Sequence, residues 1–207
     1  MVALVLIQPF FLPLTTGLLS GDGIAGEASA GTLRYLLVRP VSRTRLTLAK
    51  YTSVLVLLVA LVLWVVAVGL VAGAIAFHWG PFPSLSGTTL GVAETLGRIV
   101  LAALYVVAGV AGLAAVGLFF STLTESGPGA TVATVVFAIV SQIVGALSSL
   151  EWLHPYLLNE HWGAFTELLR SPIAAGPMVD GLVVFAAYTV VFVGGAVAIM
   201  NRRDVLS

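Results

Sequence analysis

"RTRLTLAKYTSVLVLLVALVLWVVAVGLVAGAIAF", residues 43–77, decides the fold. From Tyr51 to Phe77 it carries no formal charge, and crossing a bilayer core takes about 20 apolar residues in a helix. Read as one helix from about 43 to 77, it is roughly 50 Å long at 1.5 Å per residue. The hydrocarbon core is only about 30 Å thick, so the turns carrying Arg43, Arg45 and Lys50 project beyond it. Ser42 stands where a side-chain oxygen caps such a helix.

The rest of the chain is written in the same solvent language. Of 207 residues, 59% are hydrophobic and 9% charged, where soluble domains run near 25% charged. Mean hydropathy is +1.11. A soluble fold this short has too much surface to hide that composition. Zero formal net charge gives no footprint for nucleic acid. The absence of cysteine excludes disulfides, thiolate metal sites and cysteine nucleophiles.

Five charge-free stretches are long enough to span: about 2–20, 51–77, 99–122, 129–150 and 181–200. With their flanking turns the third and fifth extend to 93–122 and 180–200. The first lacks the basic start of a signal peptide and carries Pro9 and Pro13, so it reads as a span. The third and fourth are joined by "STLTESGPG", 121–129, a tight turn at Glu125, Gly127, Pro128 and Gly129, and form a helical hairpin. The stretches are too long for barrel strands and do not alternate. The expected fold is an all-α membrane protein, one transmembrane domain over 1–207.

Basic residues at span ends set orientation. Arg34, Arg39, Arg43, Arg45 and Lys50 fall on one side with Arg202 and Arg203. Arg98 and Arg170 fall on the other, with Glu94, Glu151, Glu160, Glu167 and Asp180 and the aromatic runs "FHWGPF" (77–82) and "EWLHPY" (151–156). The expectation is a multi-pass plasma-membrane protein with residues 21–50 and the C-terminus cytoplasmic and the N-terminus outside. An outside start with no leader is also read as a chain shortened at its beginning.

Residues 21–50 are too polar to cross the bilayer. Asp22 or Ser20 is expected to cap a helix starting near Ile24, with Ile24, Ala28, Tyr35 and Leu36 mostly on one side, an amphipathic helix at the cytosolic interface. Arg39-Pro40 ends it. The result is an elbow below the membrane. One reading makes it a basic cluster that fixes topology and touches anionic lipid; the other makes it a dock for a cytosolic partner. Beyond the membrane, residues 151–178 carry Trp152, Tyr156, Trp162 and Phe165 and are expected to form short amphipathic helices on the extracellular side.

"IAGEASAGTLRYLLVRPVSRTRLTLAKY", 24–51, resembles the signature of type-2 ABC-transporter permeases, which carry a Glu, then Gly-Thr-Leu, then Pro-Val-Ser-Arg and a Lys after their second span. Here these are Glu27, Gly31-Thr32-Leu33, Pro40-Val41-Ser42-Arg43 and Lys50. The ending Arg202-Arg203-Asp204-Val205 and the segment 155–172 are similar too. Such permeases usually have six spans, and the five here lack the counterpart of the first. The resemblance implies a permease subunit of an ATP-driven exporter. It would pair with a second permease copy, as homo- or heterodimer, and dock a cytosolic ABC ATPase through an elbow containing Glu27, Gly31, Thr32, Leu33, Arg34, Arg39, Pro40, Arg43 and Lys50. ATP and magnesium would belong to that partner, and this chain would be no enzyme. The alternative is a non-transporting scaffold or sensor that docks an ATPase.

The remaining polar residues show no pattern of a nucleotide, metal or nucleophile site. No GxxxxGK[ST] loop is present, and "GDGIAG" at 21–26 lacks the Lys-Ser/Thr that holds phosphate. Glu94 and Arg98, four apart, read as a salt bridge or an outer gate. His78, His154 and His161 have no metal-ligand spacing. Ser121 and Ser141 lie in no nucleophile motif, and an intramembrane hydrolase would need ionisable groups inside the spans, where none stand. Gln142 is expected to hydrogen-bond between helices, and the small residues Gly69/Gly73 and Gly109/Gly112/Gly117 to mark close helix packing. With no charge along the spans, a lipid-like or amphipathic cargo is expected.

Overall fold

The computed structural model describes residues 2–8, 10–31, 42–77 and 82–202. These are mostly helical. In chain order they form α1 (Val2–Ile7), α2 (Phe11–Ser29), α3 (Arg43–Phe77), a two-stranded hairpin of β1 (Phe82–Pro83) and β2 (Thr89–Leu90), α4 (Val92–Leu123), α5 (Gly127–Gly145), two 3₁₀ helices η1 (Ser148–Tyr156) and η2 (Trp162–Leu169), and α6 (Gly176–Arg202). Among the described residues four helices, α3 to α6, are long and apolar enough to cross a membrane.

The long second stretch forms as its sequence dictates. α3 runs unbroken over Arg43–Phe77, and the Ser42 hydroxyl accepts from the Arg45 backbone N–H at 3.3 Å. α4 and α5 form the expected hairpin, with a shorter turn than 121–129: Ser126 caps α5 by accepting from Gly129 N at 3.1 Å, and Gly127 and Pro128 already belong to its first turn. Proline fits there because a first-turn N–H has no helical partner. α5 ends at Gly145, five residues short of the expected 150, and the chain passes into η1.

The N-terminal stretch differs most from expectation. In place of one span over 2–20 there are two helices, and the second runs from Phe11 through to Ser29. Pro9 and Pro13 explain the division, since an interior proline removes a donor and clashes with the preceding turn. Pro13 is accommodated in the first turn of α2. No separate helix starts near Ile24: Asp22 lies inside α2, and the Ser20 hydroxyl donates back to Thr16 O at 2.6 Å instead of capping. α2 is not among the four membrane-length apolar helices. The expected break at Arg39-Pro40 lies outside the described residues.

α2 packs against α4 and α5 through small residues. A Cβ on Gly21 would lie 2.5 Å from Thr131 N and 2.8 Å from Thr131 Cα, and one on Gly17 would lie 3.0 Å from Val135 Cγ2. On α4 the expected stripe is confirmed: Gly109 faces Trp162 and Phe185, Gly112 faces Leu158 and Tyr188, and Gly117 faces Ser20 and Thr134. Close approach of this kind replaces the hydrophobic drive that is missing between helices in lipid. Gly21→Ala is therefore expected to destabilise by about 1–3 kcal/mol, because the obstructing atoms are backbone and cannot rotate away. Gly73→Ala, where a Cβ would meet nothing within 4 Å, is expected to be neutral or slightly stabilising. Thermal unfolding of the two variants in detergent distinguishes them; equal midpoints would contradict the packing.

Candidate functional site: two tied ends of the bundle

Hydrogen bonds sort the molecule into two ends. At one, the termini of α2 and α6 meet the start of α3. Lys50 of α3 forms an ion pair with Glu27 of α2. Arg43 Nη1 donates to Met200 O of α6 at 3.2 Å, and Asn201 Nδ2 donates to the Thr44 hydroxyl at 3.3 Å. The Asp22 carboxylate sits beside Gly26 and Gly127, close enough that a Cβ on either glycine would collide with it. Gly127 opens α5, and a negative charge is favoured at a helix N-terminus. Leu18, Asp22, Gly26, Glu27, Ala30 and Lys50 line a shallow depression here.

The same end contains a bridging hydroxyl. Ser121 of α4 is fully buried. It accepts from the backbone N–H groups of Ile24 (3.0 Å) and Ala25 (2.8 Å) and donates to Gly21 O (2.7 Å). In an undisturbed helix the Ala25 N–H would bond to Gly21 C=O directly. The hydroxyl bonds both groups from the side, on a helix that stays continuous over Phe11–Ser29. It falls where Gly21, Gly23 and Gly26 make the backbone easiest to deform.

At the other end η1, η2 and the hairpin form a cap. Leu158, Trp162, Phe165 and Leu168 point into the bundle and are buried, while Trp152 and Tyr156 are 69% and 68% exposed. Gln8 Nε2 donates to Trp162 O at 2.9 Å, Tyr105 Oη to His161 O at 2.8 Å, and Leu85 N to Leu169 O at 2.9 Å. Arg98 is the central fastener. It is 7% exposed, and its Nη1 donates to Leu168 O (2.6 Å) and Arg170 O (2.7 Å) while Nη2 pairs with Glu94 at 2.6 Å. The Glu94–Arg98 spacing thus forms the salt bridge read from the sequence, and the guanidinium also holds the end of η2.

Of the elbow residues, Glu27, Gly31, Arg43 and Lys50 are described. Glu27 and Lys50 are joined directly, Arg43 is tied to α6, and Gly31 has φ 67°, the left-handed region that suits glycine at a helix exit. Thr32, Leu33, Arg34, Arg39 and Pro40 lie outside the described residues, as does His78. His161 Nε2 lies 3.0 Å from Pro155 O. Gln142 is half-buried on α5. Sequence reasoning missed Ser121, Thr44 and Asn201. For Ser121 a signal existed, because it stands four residues after Gly117 and so continues the small-residue face of α4.

A family model described as a protein of unknown function (DUF2705) matches residues 2–206. No curated protein matches the chain.

Proposed function

We propose that this chain, which belongs to the DUF2705 family, is the membrane-spanning permease subunit of an ATP-driven ABC exporter, coupled to a separate cytosolic ATPase through residues 24–50. The observation that carries this reading is the Glu27–Lys50 ion pair. Both residues belong to the stretch that resembles the type-2 permease signature, and they tie the last turn of α2 to the early turns of α3.

A load applied between Gly31 and Ser42 would enter α3 at its first turn and travel along a single helix to Phe77. A helix is stiff enough for this because its backbone hydrogen bonds are all internal. Arg43 and Thr44 would carry part of the load into the last turn of α6. Glu27 and Ser121 would hold the end of α2 while it moves.

In this reading α2 is a fifth crossing, running from the Gln8–Trp162 contact to the Glu27–Lys50 pair. Thr16 and Ser20 are buried among neighbouring helices, and the charged Asp22 and Glu27 fall in the last two turns of α2, toward the ion-paired end. The positive-inside rule puts the ion-paired end in the cytosol and the cap outside. A second permease copy would complete the pathway, and a lipid-like or amphipathic cargo fits the charge-free middles of α3 to α6.

The test is transport by the chain reconstituted with its ATPase. Glu27→Lys is expected to lower ATP-coupled efflux by about tenfold, the ratio given by ~1.4 kcal/mol, because two like charges then meet at the base of the elbow. The swap Glu27→Lys with Lys50→Glu restores the pair and most of the efflux. Normal pumping by Glu27→Lys alone would refute the proposal; ATPase binding with efflux at background in the wild type would leave a scaffold.

A further inference from the structure

We propose that a cavity between α1, α3, α4 and the β hairpin is a binding site for one acyl chain of a bilayer phospholipid. The cavity measures about 200 Å³. Its floor is Gly69 and Gly73 of α3, spaced as a pair that ordinarily lets a second helix come close. Here Gly69 faces Ala3 of α1 at 3.6 Å, and nothing stands within 4 Å of the place a Gly73 Cβ would take. The small-residue pair thus shapes a hollow.

Chemistry and size together select the occupant. Thr95 and Arg98 are the polar side chains on the wall. The Thr95 hydroxyl donates to Gly91 O, and the Arg98 guanidinium is committed to Leu168 O, Arg170 O and Glu94. A polar ligand would find little left to bind. A single methylene chain fits, since packed carbons stand about 3.5–4 Å apart. Apolar cavities of this order stay dry and accept apolar ligands. Phe82 and Leu96 at its edge are exposed, so the hollow opens onto apolar surface, where the neighbouring solvent in a bilayer is acyl chain. The proposal requires only that the bundle sits in a membrane and is independent of any ATPase.

The experiment uses the wild-type chain in phosphatidylethanolamine–phosphatidylglycerol vesicles containing a trace of phospholipid with a photoreactive acyl chain. Labelling of the peptides covering 69–74 and 95–99 is expected to exceed that of the α5 surface at 132–143 by about tenfold, the partition ratio set by ~1.4 kcal/mol. Gly73→Leu fills the hollow and is expected to abolish the excess at 95–99 while leaving 132–143 unchanged. Equal labelling of cavity and α5 peptides in the wild type overturns the proposal, and that comparison needs no variant to fold. An excess that survives Gly73→Leu, or a chain-to-chain crosslink from a photoreactive residue at position 73, overturns it as well, the latter in favour of a second copy.

Discussion

Arg98→Ala is expected to be strongly destabilising, at about 1–3 kcal/mol for each of the two carbonyls that lose their donor. The guanidinium gathers three acceptors that no other side chain in the vicinity can serve together: Leu168 O, Arg170 O and the Glu94 carboxylate. Alanine leaves the carbonyls at the end of η2 without their donor and cuts the hold of the cap on α4. Arg98→Lys should recover only part of the loss, because a single ammonium lacks the planar fork that reaches several acceptors at once. Glu94→Gln should cost far less, since the Glu94 side chain is 52% exposed and exposed pairs contribute little. The measurement is thermal unfolding in detergent, with limited proteolysis of 157–170 as the local readout. Cleavage there should rise sharply in Arg98→Ala, and an unchanged cleavage pattern would show that η2 is held by something else.

Ser121→Val should be the second severe substitution, at about 3 kcal/mol or more. The hydroxyl serves three buried backbone groups of α2, the Ile24 and Ala25 N–H and the Gly21 C=O, and each unpaired buried group costs about 1–3 kcal/mol. Valine adds bulk there and offers none of them a partner. Ser121→Ala is the informative contrast: it removes the hydroxyl without adding bulk, so Ala25 N–H and Gly21 C=O can settle on each other as in an ordinary helix. Hydrogen exchange at Ile24 and Ala25 separates the two. Protection should collapse in the valine variant and survive in the alanine variant; equal exchange in both would mean that the bulk of valine does not disturb this turn of α2.

These two sites also mark the boundary of what the sequence could disclose. α3 and α4 were legible almost to the residue and α6 to within about five residues at its start, because each holds a long charge-free run and local hydropathy suffices for such a segment. α2 was misplaced by about nine residues at its C-terminal end. "SGDGIAGEAS", 20–29, reads as the cap and first turns of a separate interfacial helix, because its glycines and acids disfavour a membrane helix taken alone. What stabilises it comes from afar: Ser121 meets its backbone, Thr131 receives Gly21, and Lys50 neutralises Glu27. No local window contains those partners. The Glu94–Arg98 pair was visible from its spacing, but its grip on Leu168 and Arg170 was not, for the same reason. Gly69 and Gly73 show the converse error: a motif for close packing lines a hollow, because among the described residues only Ala3 comes near Gly69 and nothing reaches Gly73.

The account stands on the Glu27–Lys50 end of the bundle facing the compartment that holds ATP. The chain contains no cysteine, so a single introduced thiol reports its own side of the membrane without background. Ala30→Cys at the ion-paired end and Ser149→Cys at the cap are both on exposed positions. In intact cells a membrane-impermeant maleimide should label Ser149→Cys and leave Ala30→Cys unlabelled until the membrane is opened. Labelling of Ala30→Cys from outside, with Ser149→Cys protected, would contradict the orientation and with it the coupling of this chain to a cytosolic motor.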